Sequence, residues 1–103
     1  MAKRRESESG KERRAAAEQL AIAALGFIAD EPEQLGRFLA MTGLGPGSLR
    51  NAAREPHFLA GVLDHVAADE TLLVAFAAQH EVDPDAVMRA RDELGGLWER
   101  DMP

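Results

Sequence analysis

The stretch PHFLAGVLDHVAADETLLVAFA, residues 56–77, decides the fold. Pro56 suits the first turn of a helix, where a missing N–H costs nothing. Behind it Phe58, Leu59, Val62, Leu63 and Val66 recur at the spacing that stacks side chains on one helical face. Asp69 stands as an N-cap for a second run of the same period, carrying Leu72, Leu73, Phe76 and Ala77.

The same signals continue downstream. Asp83 is an N-cap, Pro84 fits the first helical position, and Val82 and Val87 stand at the spacing of a hydrophobic staple. The last helix then turns Val87, Ala90, Leu94, Leu97 and Trp98 inward. Gly95-Gly96 interrupts it, at about 1 kcal/mol per glycine in a helix interior, and marks a place to kink or fray.

Upstream, Lys11 to Ala29 reads as one helix, basic at its start and then apolar nearly all round through Leu20, Ile22, Leu25, Phe27 and Ile28. A helix apolar on every side is normally surrounded by others, so its second half is expected at the centre of the fold. Asp30 and Glu33 form a D-x-x-E start signal, with Pro32 in the first turn, for a helix whose Leu35, Phe38 and Leu39 share a face. Gly43 can end that helix in a left-handed cap. Leu44-Gly45-Pro46 opens a short helix whose buried side is Leu49, Ala52 and Ala53.

Composition agrees. Aromatics make up 5% of the 103 residues and tyrosine is absent, which suits closely approaching helices better than sheets of β-branched and aromatic residues. The expected fold is all-α, a compact single-domain bundle of five or six short helices over residues 15–103. A chain of this length hides only about two-thirds of its unfolded surface, enough for one modest core.

The net charge of −6 is unevenly placed. Residues 1–14 hold six cations (Lys3, Arg4, Arg5, Lys11, Arg13, Arg14) against three anions (Glu6, Glu8, Glu12), giving +3 and leaving −9 for the remainder. So polar a head, containing Ser7, Ser9 and Gly10, reads as a solvated, flexible tail. The acidic body repels polyphosphate, which confines any nucleic-acid contact to a local patch or to the head. The chain has no cysteine, hence no disulfide, thiolate metal site or thiol nucleophile, and the cytoplasm is the default location. The uncharged run Gln19 to Ala29 is too short to span a bilayer.

Reactive chemistry is hard to assemble. His57, His65 and His80 do not pair at i, i+3 or i+4, and no zinc or calcium pattern is present. The acids of Asp30-Glu31-Pro32-Glu33, Asp69-Glu70 and Asp83-Pro84-Asp85 stand where helix N-termini call for them. Ser7, Ser9 and Ser48 lack a nucleophile-elbow context. The sequence therefore predicts no enzyme, no cofactor and no metal site.

Two segments carry sharper alternatives. Residues 72–92 resemble a helix-turn-helix, with Ala77, Val82, Val87 and Ala90 at its packing positions and Arg89 and Arg91 as the cations that would meet DNA. Glu81 stands where that turn usually has glycine, and Asp83 and Asp85 would face phosphate. Gly43-Leu44-Gly45-Pro46 resembles the hairpin of helix-hairpin-helix modules, with Gly47 where a cation is usual and Arg50 and Arg54 nearby; a plain turn that uses glycine for backbone freedom is the favoured account.

Ala24-Leu25-Gly26-Phe27-Ile28-Ala29, Leu35-Gly36-Arg37-Phe38-Leu39, Gly43-Leu44-Gly45-Pro46, Phe58-Leu59 and Val82-Asp83-Pro84 together resemble a small bacterial family, domain of unknown function 3572. The resemblance covers about residues 15 to 96. It implies an all-helical single domain and brings no activity, cofactor or site residue with it. The function expected from the residues is a non-enzymatic protein-interaction or regulatory module whose partner is another protein or a second copy of the chain. Gly43, Leu44, Gly45, Arg50, Arg54, Leu97 and Trp98 are its candidate contacts. Nucleic-acid binding through Arg89 and Arg91, or through the glycine hairpin, is the alternative.

Overall fold

The computed structural model describes the backbone of residues 2–101 and the side chains of residues 10–95, Pro46 excepted. Among the described residues there are six α-helices and no strand: α1 (Ala2–Ala29), α2 (Pro32–Thr42), α3 (Leu49–Ala52), α4 (Pro56–Ala67), α5 (Glu70–Gln79) and α6 (Pro84–Asp101). A 3-10 turn, Pro46–Ser48, leads into α3. The fold is all-α, as the periodicity predicts. The expected tail over residues 1–14 falls mostly outside the described side chains; the backbone there is continuous with α1.

The core is built on α4, which packs against α6, α1 and α5. Leu59, Val62, Leu63 and Val66 of α4 are all buried, and each contributes about 1.5–3 kcal/mol by leaving water. From α6 come Val87, Ala90 and Leu94; from α1 come Ala17, Ala21, Ala24 and Ile28 at four- and three-residue steps. Three alanines in that stripe let α1 lie close against α4 and α6. Phe76 of α5 is fully buried, and its ring lies 5.5 Å from that of Phe27 on α1.

That arrangement corrects the expected place of α1. Its second half is not enclosed: Ile22 is 46% exposed, and Gln19 and Gly26 on the same side face solvent. The run Gln19 to Ala29 is uncharged because it is rich in alanine, and alanine is content on either side of a helix. The enclosed position belongs to α4, whose large aliphatics fall on one face.

Apart from α1, which begins at Ala2 and not at the expected Lys11, the helix starts and stops follow the sequence with one shift. Asp69 caps α5, its Oδ1 accepting from the Leu72 N–H at 3.2 Å. Asp83 precedes Pro84, and its Oδ1 accepts from the Asp85 N–H at 3.0 Å. Gly43 closes α2 at φ 74°, donating its N–H to the Leu39 carbonyl at 2.9 Å. The N-cap of α2, however, is Glu31, and no side chain caps it. Asp30 is still bonded backward, its N–H donating to the Gly26 carbonyl at 3.0 Å, so it finishes α1 instead of starting α2. Leu49, Ala52 and Ala53 of the α3 region are half-buried, short of the full burial expected. The backbone of α6 stays helical through Gly95 and Gly96, because glycine lowers helix stability without removing a ladder bond.

Candidate functional site

Helices α2 and α4 enclose a groove of about 430 Å³. Phe38, Met41 and Thr42 line it from α2; His57, Phe58, Gly61, Asp64, His65 and Ala68 line it from α4 and its C-terminus. The floor is aromatic. Phe38 is buried and meets Phe58 edge-on at 5.8 Å between ring centres, and it meets the His65 ring edge-on at 5.3 Å. Above this floor Met41 is 75% exposed, the most exposed large apolar side chain in the described core and helices. Thr42 hydroxyl donates to the Phe38 carbonyl at 3.0 Å, which fixes the end of α2 at the groove mouth.

The spacing on α4 explains which residues meet there. His57, Gly61 and His65 are four residues apart and Ala68 follows three later, so all lie on one face, the two imidazoles about 12 Å apart along the axis. Gly61 is at the midpoint. A glycine inside a helix costs about 1 kcal/mol relative to alanine. A Cβ added there would meet nothing within 4 Å, so internal packing does not call for it.

The groove lining holds few ionisable groups: Asp64, His57 and His65. Its one carboxylate, Asp64, shares Arg91 of α6 with Asp92, the Nη1 lying 3.5 Å from Asp64 Oδ1. The same guanidinium donates through Nη2 to Asp92 Oδ1 at 3.2 Å. Among the described residues no polar or charged side chain is buried, and no group of three His, Cys, Asp or Glu residues is placed to hold a metal ion.

The predicted site residues fall in different places. Gly43, Leu44 and Gly45 follow directly on the α2 end of the groove, Gly43 as the left-handed cap and Leu44 half-buried. The Leu44 N–H donates to the Thr42 hydroxyl at 3.4 Å, tying that loop to the groove mouth. Arg50 and Arg54 are exposed on and just after α3. Leu97 and Trp98 lie outside the described side chains.

The helix-turn-helix positions are packed as expected: Ala77, Val87 and Ala90 are buried and Val82 half-buried. Glu81 does not prevent the turn; it takes φ 54° and occupies the left-handed position itself. The two cations nevertheless part company. Arg91 reaches to Asp64 on α4, whereas Arg89 lines a second groove, about 500 Å³, between α1 and α6. That groove also holds Arg13, Asp92 and Glu93 over Ala16, Ala17, Leu20, Ala86 and Ala90, so Arg89 shares it with two acids.

The α2–α4 groove itself was not visible in the sequence. Its one available signal was the i, i+4, i+8 recurrence of His57, Gly61 and His65, which becomes a surface only once α2 is known to lie beside α4.

Fold and groove define a small six-helix bundle presenting a largely apolar cleft. The chain belongs to the family described as protein of unknown function (DUF3572), whose profile matches residues 14–97. No curated protein and no solved structure matches the chain. No helix among the described residues is long and apolar enough to cross a membrane.

Proposed function

We propose that this protein is a non-enzymatic interaction module that takes a protein partner in the α2–α4 groove. The observation that carries the reading is Met41, 75% exposed beside an aromatic floor of Phe38 and Phe58. Exposing so much of an unbranched thioether has no use within the bundle, whereas flexible methionines at a groove rim adapt to an incoming apolar surface. The lining, mostly apolar with a single carboxylate, supports the same reading, since interface cores are depleted in charge. Gly43, Leu44 and Gly45 extend the contact at the groove mouth, with Arg50 and Arg54 on the neighbouring edge.

The test is affinity capture from a native lysate with the wild-type protein and Met41→Glu as paired baits, quantified by mass spectrometry. A partner retained by the wild type and lost by the variant supports the groove. Equal recovery by both baits removes the groove from the interface.

A further inference from the structure

We infer that the outer face of α5 is a docking surface of its own, and that its occupant is a basic amphipathic helix of another protein. The surface is separate from the α2–α4 groove, and the inference stands whether or not that groove is used. From Thr71 to Ala78 no residue is charged, so α5 is apolar on every side, a pattern that belongs to a helix surrounded by others. Here only one side is covered. Leu72, Phe76 and Ala77 are buried against the bundle, whereas Thr71, Val74, Ala75 and Ala78 are exposed, Val74 at 55%. Those four stand at i, i+3, i+4 and i+7, the spacing by which one helix offers an apolar stripe to another.

Charge selects the occupant. From Glu55 to Met88 the chain carries seven acids and no lysine or arginine. At the start of the stripe Glu31 and Glu33 of α2 and Asp69 stand around a hollow of about 220 Å³, with Phe27, Leu72 and Ala75 as its apolar lining. Arg37, the cation of α2, does not line this hollow, and none of the three acids is in an ion pair among the described residues. At the other end Glu81 follows the helix. An apolar stripe with carboxylates at both ends fits a helix that lays aliphatic side chains along the stripe and sets lysine or arginine beyond them. Another copy of this chain does not supply one: its body is acidic, and residues 1–14, where the cations gather, hold no apolar residue beyond Met1 and Ala2.

The experiment is fluorescence anisotropy on the full chain with three labelled probes: a synthetic amphipathic helix of leucine and lysine, an oligolysine of equal charge, and a leucine–glutamate helix of the same order. The proteins are the wild type, Val74→Glu, Ile22→Glu, Met41→Glu, and Glu31→Gln combined with Glu33→Gln. Glutamate is a better helix former than the valine or isoleucine it replaces, so those variants keep the fold, which far-ultraviolet dichroism checks. Val74→Glu and Ile22→Glu make the same change in charge, Ile22 lying exposed on α1. A probe held by charge alone binds both more tightly than the wild type; a probe seated on the stripe is weakened by Val74→Glu alone. The expected result is that the wild type prefers the leucine–lysine helix to oligolysine about tenfold or more and loses about tenfold in Val74→Glu, as an apolar contact exchanged for a charge does. Ile22→Glu and Met41→Glu should not weaken it, and the leucine–glutamate helix should not bind. The paired glutamine variant should bind more weakly at low salt, the difference shrinking as salt screens the carboxylates.

A wild type that fails to bind the leucine–lysine helix, or binds oligolysine equally well, overturns the inference. So does a Val74→Glu protein that binds as tightly as Ile22→Glu. If Met41→Glu loses the probe while Val74→Glu keeps it, the probe sits in the α2–α4 groove and the α5 assignment falls. Binding of the leucine–glutamate helix, or indifference to the paired glutamine variant, removes the basic occupant.

Discussion

Val82 donates its backbone N–H to the carbonyl of Ala77 at 2.9 Å, closing the C-terminus of α5 around a left-handed Glu81. Glu81 in turn donates to the Ala78 carbonyl at 3.3 Å, so the paired bonds of a Schellman cap are present with glutamate in the position that normally holds glycine. A side chain held at φ 54° costs about 1 kcal/mol or more, because its Cβ crowds the backbone. Glu81→Gly is therefore expected to stabilise the fold by about 0.5–1 kcal/mol, after allowing for the greater freedom of glycine in the unfolded chain. Thermal unfolding should shift upward by several degrees with unchanged far-ultraviolet dichroism; a lower midpoint would mean that the Glu81 side chain makes a stabilising contact.

The caps of α5 and α2 should respond differently to the same substitution. Asp69 accepts a bond from Leu72 N–H, and Asp69→Ala should cost about 1 kcal/mol. Glu31, the N-cap of α2, makes no such bond, so Glu31→Ala should lie within about 0.5 kcal/mol of the wild type. Urea unfolding of the two variants side by side decides it. Equal losses would place a capping role on Glu31 that its geometry lacks.

The number of helices and most of their ends could be read from the chain because caps and staples are local: Asp69, Asp83-Pro84 and Gly43 act on atoms within a few residues of themselves. Asp30 misled because an acid just before Pro32 satisfies the start pattern of one helix while its own N–H still belongs to the preceding one. The place of α1 was illegible for a different reason. Alanine carries little information about which side of a helix is covered, and Gln19 to Ala29 takes much of its apolar character from alanine. The groove needed tertiary information outright: Phe38 and Met41 come from one helix, Gly61 and His65 from another, and nothing in their separation along the chain says that α2 lies beside α4. Arg89 and Arg91 illustrate the same limit, being neighbours in sequence that the helix turns toward different grooves and different partners.

The exchange of positions between α1 and α4 has an energetic signature. Leu63 is fully buried at the seam of α4, and Leu63→Ala should cost about 2–5 kcal/mol through lost burial and the cavity left behind. For a chain of this size the total is on the order of 5–15 kcal/mol, so the variant should unfold at markedly lower denaturant. Ile22→Ala, at a half-exposed site on α1, should cost under about 1 kcal/mol, since alanine repays part of the lost burial in helix propensity. The pair is measured by equilibrium unfolding. A loss at Ile22 as large as that at Leu63 would return the second half of α1 to the centre of the fold.

Binding of duplex DNA through α6 is expected to be absent. The guanidinium of Arg91 is divided between Asp64 and Asp92, Arg89 sits with Asp92 and Glu93, and Asp83 and Asp85 occupy the end of α6 that a recognition helix would bring to the base edges. Freeing Arg91 costs little stability, since exposed pairs of this kind contribute under about 1 kcal/mol; the obstacle to phosphate is the surrounding negative charge. Fluorescence-polarisation titration of a short duplex at low salt should therefore give no saturable binding. Arg91→Ala should change neither that result nor the unfolding midpoint by more than the corresponding small amount. A binding curve that weakens steeply with added salt, and weakens again in Arg89→Ala or Arg91→Ala, would instead show these arginines neutralising phosphates, because each phosphate contact releases counterions and sets the slope.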